Sequence, residues 1–227
     1  MLTKEPQYSE IISHHQEHGP AELGMMLSHT WYEDPKRLGF VLARYKFVSK
    51  MLVGKDLVLE VGCGSGFGSH IVSRTVKHIQ AIDFDPLFIE EAQRLNNAKY
   101  PIGFRVWDIV KNPITNGPTD GIYDAAYSLD VLEHIPKEDE QRFFAHIYKA
   151  LNKDGVLIIG MPSKSSSHLA SSQSKKGHIN LKTQEELREV MSSYFKNIFS
   201  FGMNDEMIHV GHPDMTHYLF CIGTGKR

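Results

Sequence analysis

The stretch Val58–Ser69, VLEVGCGSGFGS, constrains the fold more than any other part of the chain. It opens on Val58-Leu59-Glu60-Val61, an apolar run rich in branched side chains that reads as a buried parallel strand. Glycines follow at Gly62, Gly64 and Gly66, with Gly68 just beyond, and Gly68 to Val76 can open as a helix. A glycine-rich strand-to-helix turn lets backbone come close to a ligand and points unpaired helix N–H groups at it. The dinucleotide fingerprint G-x-G-x-x-G does not fit, because Phe67 stands where its third glycine belongs.

The pattern of strand, turn and helix then repeats. Ile79–Asp83 reads as a second strand ending in an acid, and a carboxylate so placed after a glycine turn can accept both hydroxyls of a ribose. Asp85 competes for that role, although before Pro86 it also suits the N-cap of the next helix, Leu87–Asn97. Gly103–Asp108 reads as a third strand with an acid at its end. Right-handed crossovers between such units give a parallel sheet whose ligands gather at the carboxyl ends of the strands.

The segment Glu60–Gly66, E-V-G-C-G-S-G, resembles motif I of the class I S-adenosylmethionine-dependent methyltransferases. In that family Glu-x-Gly-x-Gly-x-Gly wraps the amino-acid end of the cofactor. The resemblance implies that Glu60, Gly62, Gly64 and Gly66 surround the cofactor and that Asp83 takes its ribose. It also implies that Phe84 packs on the adenine, that Asp108 accepts the adenine amino group, and that backbone near Ser128 and Leu129 faces the sulfonium. Asp130-Val131-Leu132-Glu133-His134-Ile135-Pro136 is similar to the family's (Asp/Glu)-x-x-Glu-His region. The implied fold is a three-layer α/β sandwich around a mostly parallel, seven-stranded Rossmann-like sheet of order 3-2-1-4-5-7-6. Residues 1–54 would form a helical cap and residues 55–227 the methyltransferase domain, all in one compact unit.

Methyl transfer is an in-line displacement at carbon, so positioning the acceptor matters most, an effect that reaches effective molarities of ~10⁵ M or more. An alcohol acceptor must also lose its proton, which suits a histidine near neutral pKa. His134 is the first candidate base, and His178, in the Gly177-His178 pair before a helix at Leu181–Met191, is the second. Asp130, Glu133 and His134 lie at i, i+3 and i+4, and on a helical turn they would share one face. Some relatives hold a divalent metal with such a set; here a metal is the less favoured option and is not assigned.

The remaining segments are read more coarsely. Lys36–Leu52 carries an apolar stripe at three- and four-residue spacing, interrupted by Arg44 and Lys46. Trp31–Pro35 reads as a turn; Trp31, Tyr32 and Tyr45 either pack or line the cleft, where the resemblance implies one base for the cofactor carboxylate. Lys111–Gly121 and the serine- and lysine-rich Ser163–Lys176 read as loops, the latter a candidate lid. Asn197–Gly202 and Tyr218–Gly223 would pair as a hairpin. The connection between them, with three histidines and three acids, is read as a wall facing the acceptor in preference to a metal site.

A net charge of −2 disfavours a nucleic-acid partner. Cys63 and Cys221 are too few for a disulfide framework or a zinc site. The first residues lack the apolar core of a secretory signal and no apolar run nears the ~20 residues of a membrane span, so a cytoplasmic location is expected. The expected activity is O-methylation of a small polar metabolite, such as a sugar or nucleotide-linked intermediate. N-methylation of a small amine and a catalytically silent cofactor-binding subunit are the alternatives.

Overall fold

The computed structural model describes residues 3–96, 99–114 and 121–227. An N-terminal arm of three helices, α1 (Ser9–His18), α2 (Gly24–Glu33) and α3 (Lys36–Met51), precedes the first strand, β1 (Leu57–Val61). Then follow α4 (Ser69–Val72), β2 (His78–Asp83), α5 (Pro86–Arg94), β3 (Gly103–Val106), β4 (Tyr123–Leu129), α6 (Glu140–Ala150) and β5 (Leu151–Pro162). The chain ends with α7 (Ser172–Gly177), α8 (Gln184–Ser192), β6 (Phe195–Asn204), β7 (Met207–His209) and β8 (Tyr218–Lys226).

The strands form one sheet of order β3-β2-β1-β4-β5-β8-β6-β7. Pairing is parallel from β3 through β5 and antiparallel beyond it. The sheet is therefore the expected Rossmann-like one with an eighth strand added at the edge. The expected order 3-2-1-4-5-7-6 holds with β8 in the place of the seventh strand; β7 is the addition. It arises because β6 runs past Gly202 to Asn204 and reverses at Asp205-Glu206, where Asp205 takes φ +50°. Aspartate tolerates that left-handed geometry, which a two-residue hairpin turn favours.

Both faces of the sheet are covered, which explains the continuous apolar runs of its parallel strands. On one face Leu59, Val61, Ile82 and Ala126 meet Phe143, Phe144 and Ile147 of α6 and Leu187 and Met191 of α8. On the other, Val58, Ala81, Ala125 and Phe220 meet Val48 and Leu52 of α3 and Ile89 and Ala92 of α5. Phe47 of α3 lies 4.5 Å from Phe220 and 5.5 Å from Phe201, centroid to centroid, which fixes the arm to the antiparallel half of the sheet. Among the described residues no helix is long and apolar enough to cross a membrane.

Several local expectations change. Ser163–Lys176 is not a plain loop: a 3-10 segment at Lys164–Leu169 leads into α7. Its serines act as caps, Ser163 accepting from the Ser165 N–H and Ser171 from the Ser174 N–H, so a composition that reads as loop also suits helix starts. Trp31–Glu33 belong to α2, which ends at Asp34, and the helix after the glycine turn is a single turn, α4. The helix expected over Lys137–Leu151 begins as a 3-10 turn, while the strand expected at Gly155 begins at Leu151. The helix expected over Leu87–Asn97 ends at Arg94, and its expected last residue, Asn97, like part of the Lys111–Gly121 connection, lies outside the described residues.

Phe220 is fully buried and carries the contact with α3. Phe220→Ala should lower the unfolding free energy by ~3–5 kcal/mol, the usual range for a phenylalanine deleted from a packed core. Urea denaturation reads this directly; a loss below ~1 kcal/mol would mean the interior collapses around the gap.

Candidate functional site

The carboxyl ends of β1, β2 and β4 meet where the chain switches from one side of β1 to the other, the usual place for a ligand in such a sheet. Gly62 and Gly64 take φ +79° and +51°, conformations that a side chain would strain. The Gly62 and Cys63 N–H groups both donate to the Ile82 carbonyl, and the Gly64 N–H donates to Asp83 Oδ2 at 3.0 Å. Gly66 closes the turn through its N–H to the Cys63 carbonyl. The turn is thus folded back on the end of β2.

Asp83 is 8% exposed, and its second oxygen accepts the Asp85 N–H. Asp85 itself caps α5 through the Leu87 N–H, so the local reading of that residue is the one realised. Beside this carboxylate the Phe84 ring is 72% exposed. A bare aromatic face, an acid and a side-chain-free turn at one edge are the parts a nucleoside ligand needs. β3 ends at Val106, so Asp108 lies two residues past the strand expected to end on it; its Oδ1 accepts the N–H groups of Val110 and Lys111, and Oδ2 pairs with Lys111 at 2.9 Å. Lys111 and these bonds hold its carboxyl below the usual range despite partial burial. Ser128 is buried and its hydroxyl donates to the Val61 carbonyl, so its side chain ties β4 to β1.

The N-terminal arm closes over the turn. A Cβ on Gly64 would lie 2.5 Å from Met26 Sδ of α2, so that sulfur rests against bare backbone. The Met25 N–H donates to Glu91 Oε2, tethering α2 to α5. Trp31 and Tyr32 stay exposed, whereas Tyr45 packs edge-on to Tyr127 at 6.4 Å.

Past β4 the chain turns sharply at Asp130, φ +58°, whose N–H donates to the Gly160 carbonyl. Its two carboxylate oxygens take Arg44 Nη1 of α3 at 2.8 and 2.7 Å, and the guanidinium lies 4.0 Å over the Tyr218 ring. Asp130 therefore does not share a helical face with Glu133 and His134. Those two sit on a 3-10 turn, Leu132–His134, after a left-handed residue, and Asp130 is occupied by arginine.

The third partner is His178. The Glu133 carbonyl accepts N–H bonds from Ile179 and Asn180 at 2.8 and 3.0 Å, which draws the segment after α7 onto the 3-10 turn. His134 Nδ1 donates to the Gly177 carbonyl at 2.9 Å, leaving Nε2 as the acceptor nitrogen. Glu133, His134 and His178 each offer one ligand atom within 4.8 Å of the others. Among the described residues this is the one such group. Neither carboxylate oxygen of buried Glu133 bonds to another described residue. Burial, then the nearby Asp130 charge, pushes this carboxyl well up. Burial and His134 push the His178 imidazole down.

Sequence reading missed the Arg44–Asp130 pair, although a cation interrupting an apolar helical stripe was its signal. In the connection after β6, His209 Nδ1 accepts the Gly211 N–H and His212 Nδ1 the Asp214 N–H.

Comparison with known proteins agrees with this layout. Residues 58–155 match the family described as a methyltransferase domain. A probable S-adenosylmethionine-dependent methyltransferase of Mycolicibacterium smegmatis is 24% identical over 53% of this chain and 43% of its own length. The ubiquinone biosynthesis O-methyltransferase of Xanthomonas campestris is 31% identical over 45% of this chain and 40% of its own. The chain thus spans about two fifths of the length of these curated relatives. A solved S-adenosylmethionine-dependent methyltransferase of Thermotoga maritima superposes with a TM-score of 0.66, at 16% identity, over 96% of this chain and 98% of that one.

Glu60, the acid within β1, is fully buried among the hydroxyls of Ser69, Tyr127 and Tyr45. Burial pushes its carboxyl from 4.5 up to about 7; those hydroxyls oppose the rise and Asp83 adds to it. Between these values the folded protein keeps a proton that the unfolded chain has lost. The resulting stability is full below the unfolded pKa and falls as pH rises through about 7. Glu60→Gln should flatten that slope and gain on the order of 3 kcal/mol relative to wild type at pH 8. Urea midpoints at pH 5 and pH 8 check it; parallel behaviour of the two proteins would show that Glu60 is ionised throughout.

Proposed function

We propose that this class I S-adenosylmethionine-dependent methyltransferase, whose residues 58–155 match the methyltransferase-domain family, methylates an oxygen of a small polar acceptor, such as a sugar or nucleotide-linked intermediate. The observation that carries this reading is the convergence of Glu133, His134 and His178 beside the glycine turn's end of the sheet. Gly62, Gly64 and Gly66 cradle the cofactor, Asp83 takes its ribose and Phe84 its adenine, and Glu60 and the backbone at Ser128 line its amino-acid end. Asp108 stands at the adenine end. Bound there, S-adenosylmethionine supplies a methyl group already activated on a sulfonium.

What the chain adds is orientation and a place for a proton. The carbonyl of Gly177 fixes the His134 tautomer, so Nε2 is free to accept the proton of an acceptor hydroxyl. His178, kept neutral by burial and standing 5.2 Å from His134 ring to ring, is the second base.

One observation favours a second route to the same end. A buried carboxylate with no neighbour on either oxygen, next to two imidazoles, is a donor set for a divalent cation. Glu133, His134 and His178 would hold it, and it would supply Lewis acidity to the acceptor oxygen.

Titration calorimetry with S-adenosylhomocysteine, followed by assay against a panel of sugars and nucleotides, tests both. His134→Ala should bind S-adenosylhomocysteine as wild type does and lose ~10²-fold or more in kcat. A mild loss would move the reading to a neutral amine acceptor; binding without turnover of any acceptor would leave a silent subunit. Activity lost on chelation and restored by manganese or magnesium would assign the cation route.

A further inference from the structure

Next to this site lies a cavity of about 360 Å³ lined by Ser167, His168, Ala170, Lys175, His178 and Leu181. Its volume is at the lower end of small-ligand pockets. The walls are the 3-10 segment Lys164–Leu169 and α7, joined by Lys175 Nζ donating to the His168 carbonyl at 3.0 Å. His178 belongs to both the cavity and the Glu133–His134–His178 group, so a ligand in the cavity is adjacent to the proposed chemistry.

The charge of this arm is one-sided. From Ser163 to Thr183 the chain has Lys164, Lys175, Lys176 and Lys182 and no Asp or Glu, within a protein of net charge −2. Lys164 pairs with Glu186 at 2.8 Å, and buried Lys182 pairs with Glu140 at 2.7 Å. Among the described residues, neither Lys175 nor Lys176 pairs with a carboxylate. Lys175 is exposed, and its bond to the His168 carbonyl uses one of three ammonium donors. A lysine, two imidazoles and a serine hydroxyl around a half-open cavity with no acid in its wall form a site for an oxyanion.

We infer that this cavity is the anion subsite of the acceptor, taking the phosphate of a small phosphorylated molecule and presenting the rest of it to His134 and His178. The inference rests on the methyltransferase reading for the word acceptor; the anion site itself stands on the cavity and its charges. A phosphate offers enough oxygens to meet the lysine, the hydroxyl and an imidazole together, which a carboxylate meets only in part.

The probes are inorganic phosphate and pyrophosphate, added to the full chain while imidazole NMR follows His168 and His178. Methyl β-glucoside serves as the neutral control and a short single-stranded oligoribonucleotide as the other source of phosphate. Pyrophosphate should saturate and shift both imidazoles, and methyl β-glucoside should not. Lys175→Glu should weaken pyrophosphate at least ~5-fold, whereas Lys153→Glu, the same charge change at the start of β5, should not. Pyrophosphate that leaves His168 and His178 unmoved, or binds Lys175→Glu as well as wild type, overturns the subsite. Oligoribonucleotide binding much tighter than pyrophosphate and lost in Lys175→Glu would overturn the small-molecule assignment. S-adenosylhomocysteine is titrated into the same samples. If it binds while pyrophosphate does not, only the subsite falls; if it fails to bind, the methyltransferase reading falls whatever the anion does.

Discussion

The site depends on one backbone clasp, the carbonyl of Glu133 receiving the N–H groups of Ile179 and Asn180. With the bond from His134 Nδ1 to the Gly177 carbonyl, it anchors the segment after α7 to the turn after β4 and sets His178 5.2 Å from His134. The clasp is backed by polar bonds that are costly to break where they are buried. Asn180 Nδ2 donates to Glu140 Oε2 at 2.8 Å, and Lys182, 8% exposed along its side chain, reaches the same oxygen at 2.7 Å. Removing one partner of such a pair strands a charge away from water, so the arrangement is held as a unit even if its net contribution to stability is small.

Around that anchor the structure tolerates polar groups that a purely structural core would not keep. The two Glu133 oxygens, Arg44 Nε and Tyr218 Oη are buried without a hydrogen bond to a described residue. Each costs free energy to desolvate, and together they lie between the end of β4, α3 and β8. Arg44 explains why the cluster folds at all. Its guanidinium neutralises Asp130, which is held in a left-handed turn, and stacks on Tyr218, joining the N-terminal arm to both halves of the sheet. The instability gathered here is balanced elsewhere by the two apolar layers, and the packing of Phe47 on Phe220 keeps α3 where Arg44 needs it.

What could be read in the sequence was what is local. The glycine turn and the acid ending the second strand follow from spacing within a few residues and stand at the ends of β1 and β2, whereas the third strand stops at Val106, two residues short of Asp108. The sheet order came by resemblance, since periodicity does not order strands. Misreadings share a cause. Helical spacing puts Asp130, Glu133 and His134 on one face, but the chain enters that segment through a left-handed residue, so i, i+3 and i+4 do not share a face. The serine content of Ser163–Lys176 reads as loop, yet serine caps two short helical segments there. Strand β7 was hidden because its residues, Met207-Ile208-His209, are too few to show alternation. The pairing of Arg44 with Asp130 is long-range: the stripe that Arg44 interrupts shows an unusual cation but not its partner, and the approach of His178 to Glu133 has no local signature at all.

The division of charge along the arm that carries His178 follows from the same packing. Its two end lysines reach carboxylates on neighbouring helices, Lys164 to Glu186 of α8 and Lys182 to Glu140 of α6, so the arm is fixed at both ends by charge it supplies itself. Exposed pairs such as Lys164 with Glu186 contribute little to stability, and their value is in setting where the arm lies. Buried Lys182 needs its partner in order to be buried at all. The lysines between, Lys175 and Lys176, satisfy neither need. A helix as short as α7 gains only a few tenths of a kcal/mol from basic residues in its last turn, and solvent-facing lysines there would serve that purpose equally well. Lys175 instead turns to the His168 carbonyl and into the cavity wall, beside the histidine that the Glu133 clasp delivers. Anchored ends and a cationic middle make this arm a fixed wall carrying charge.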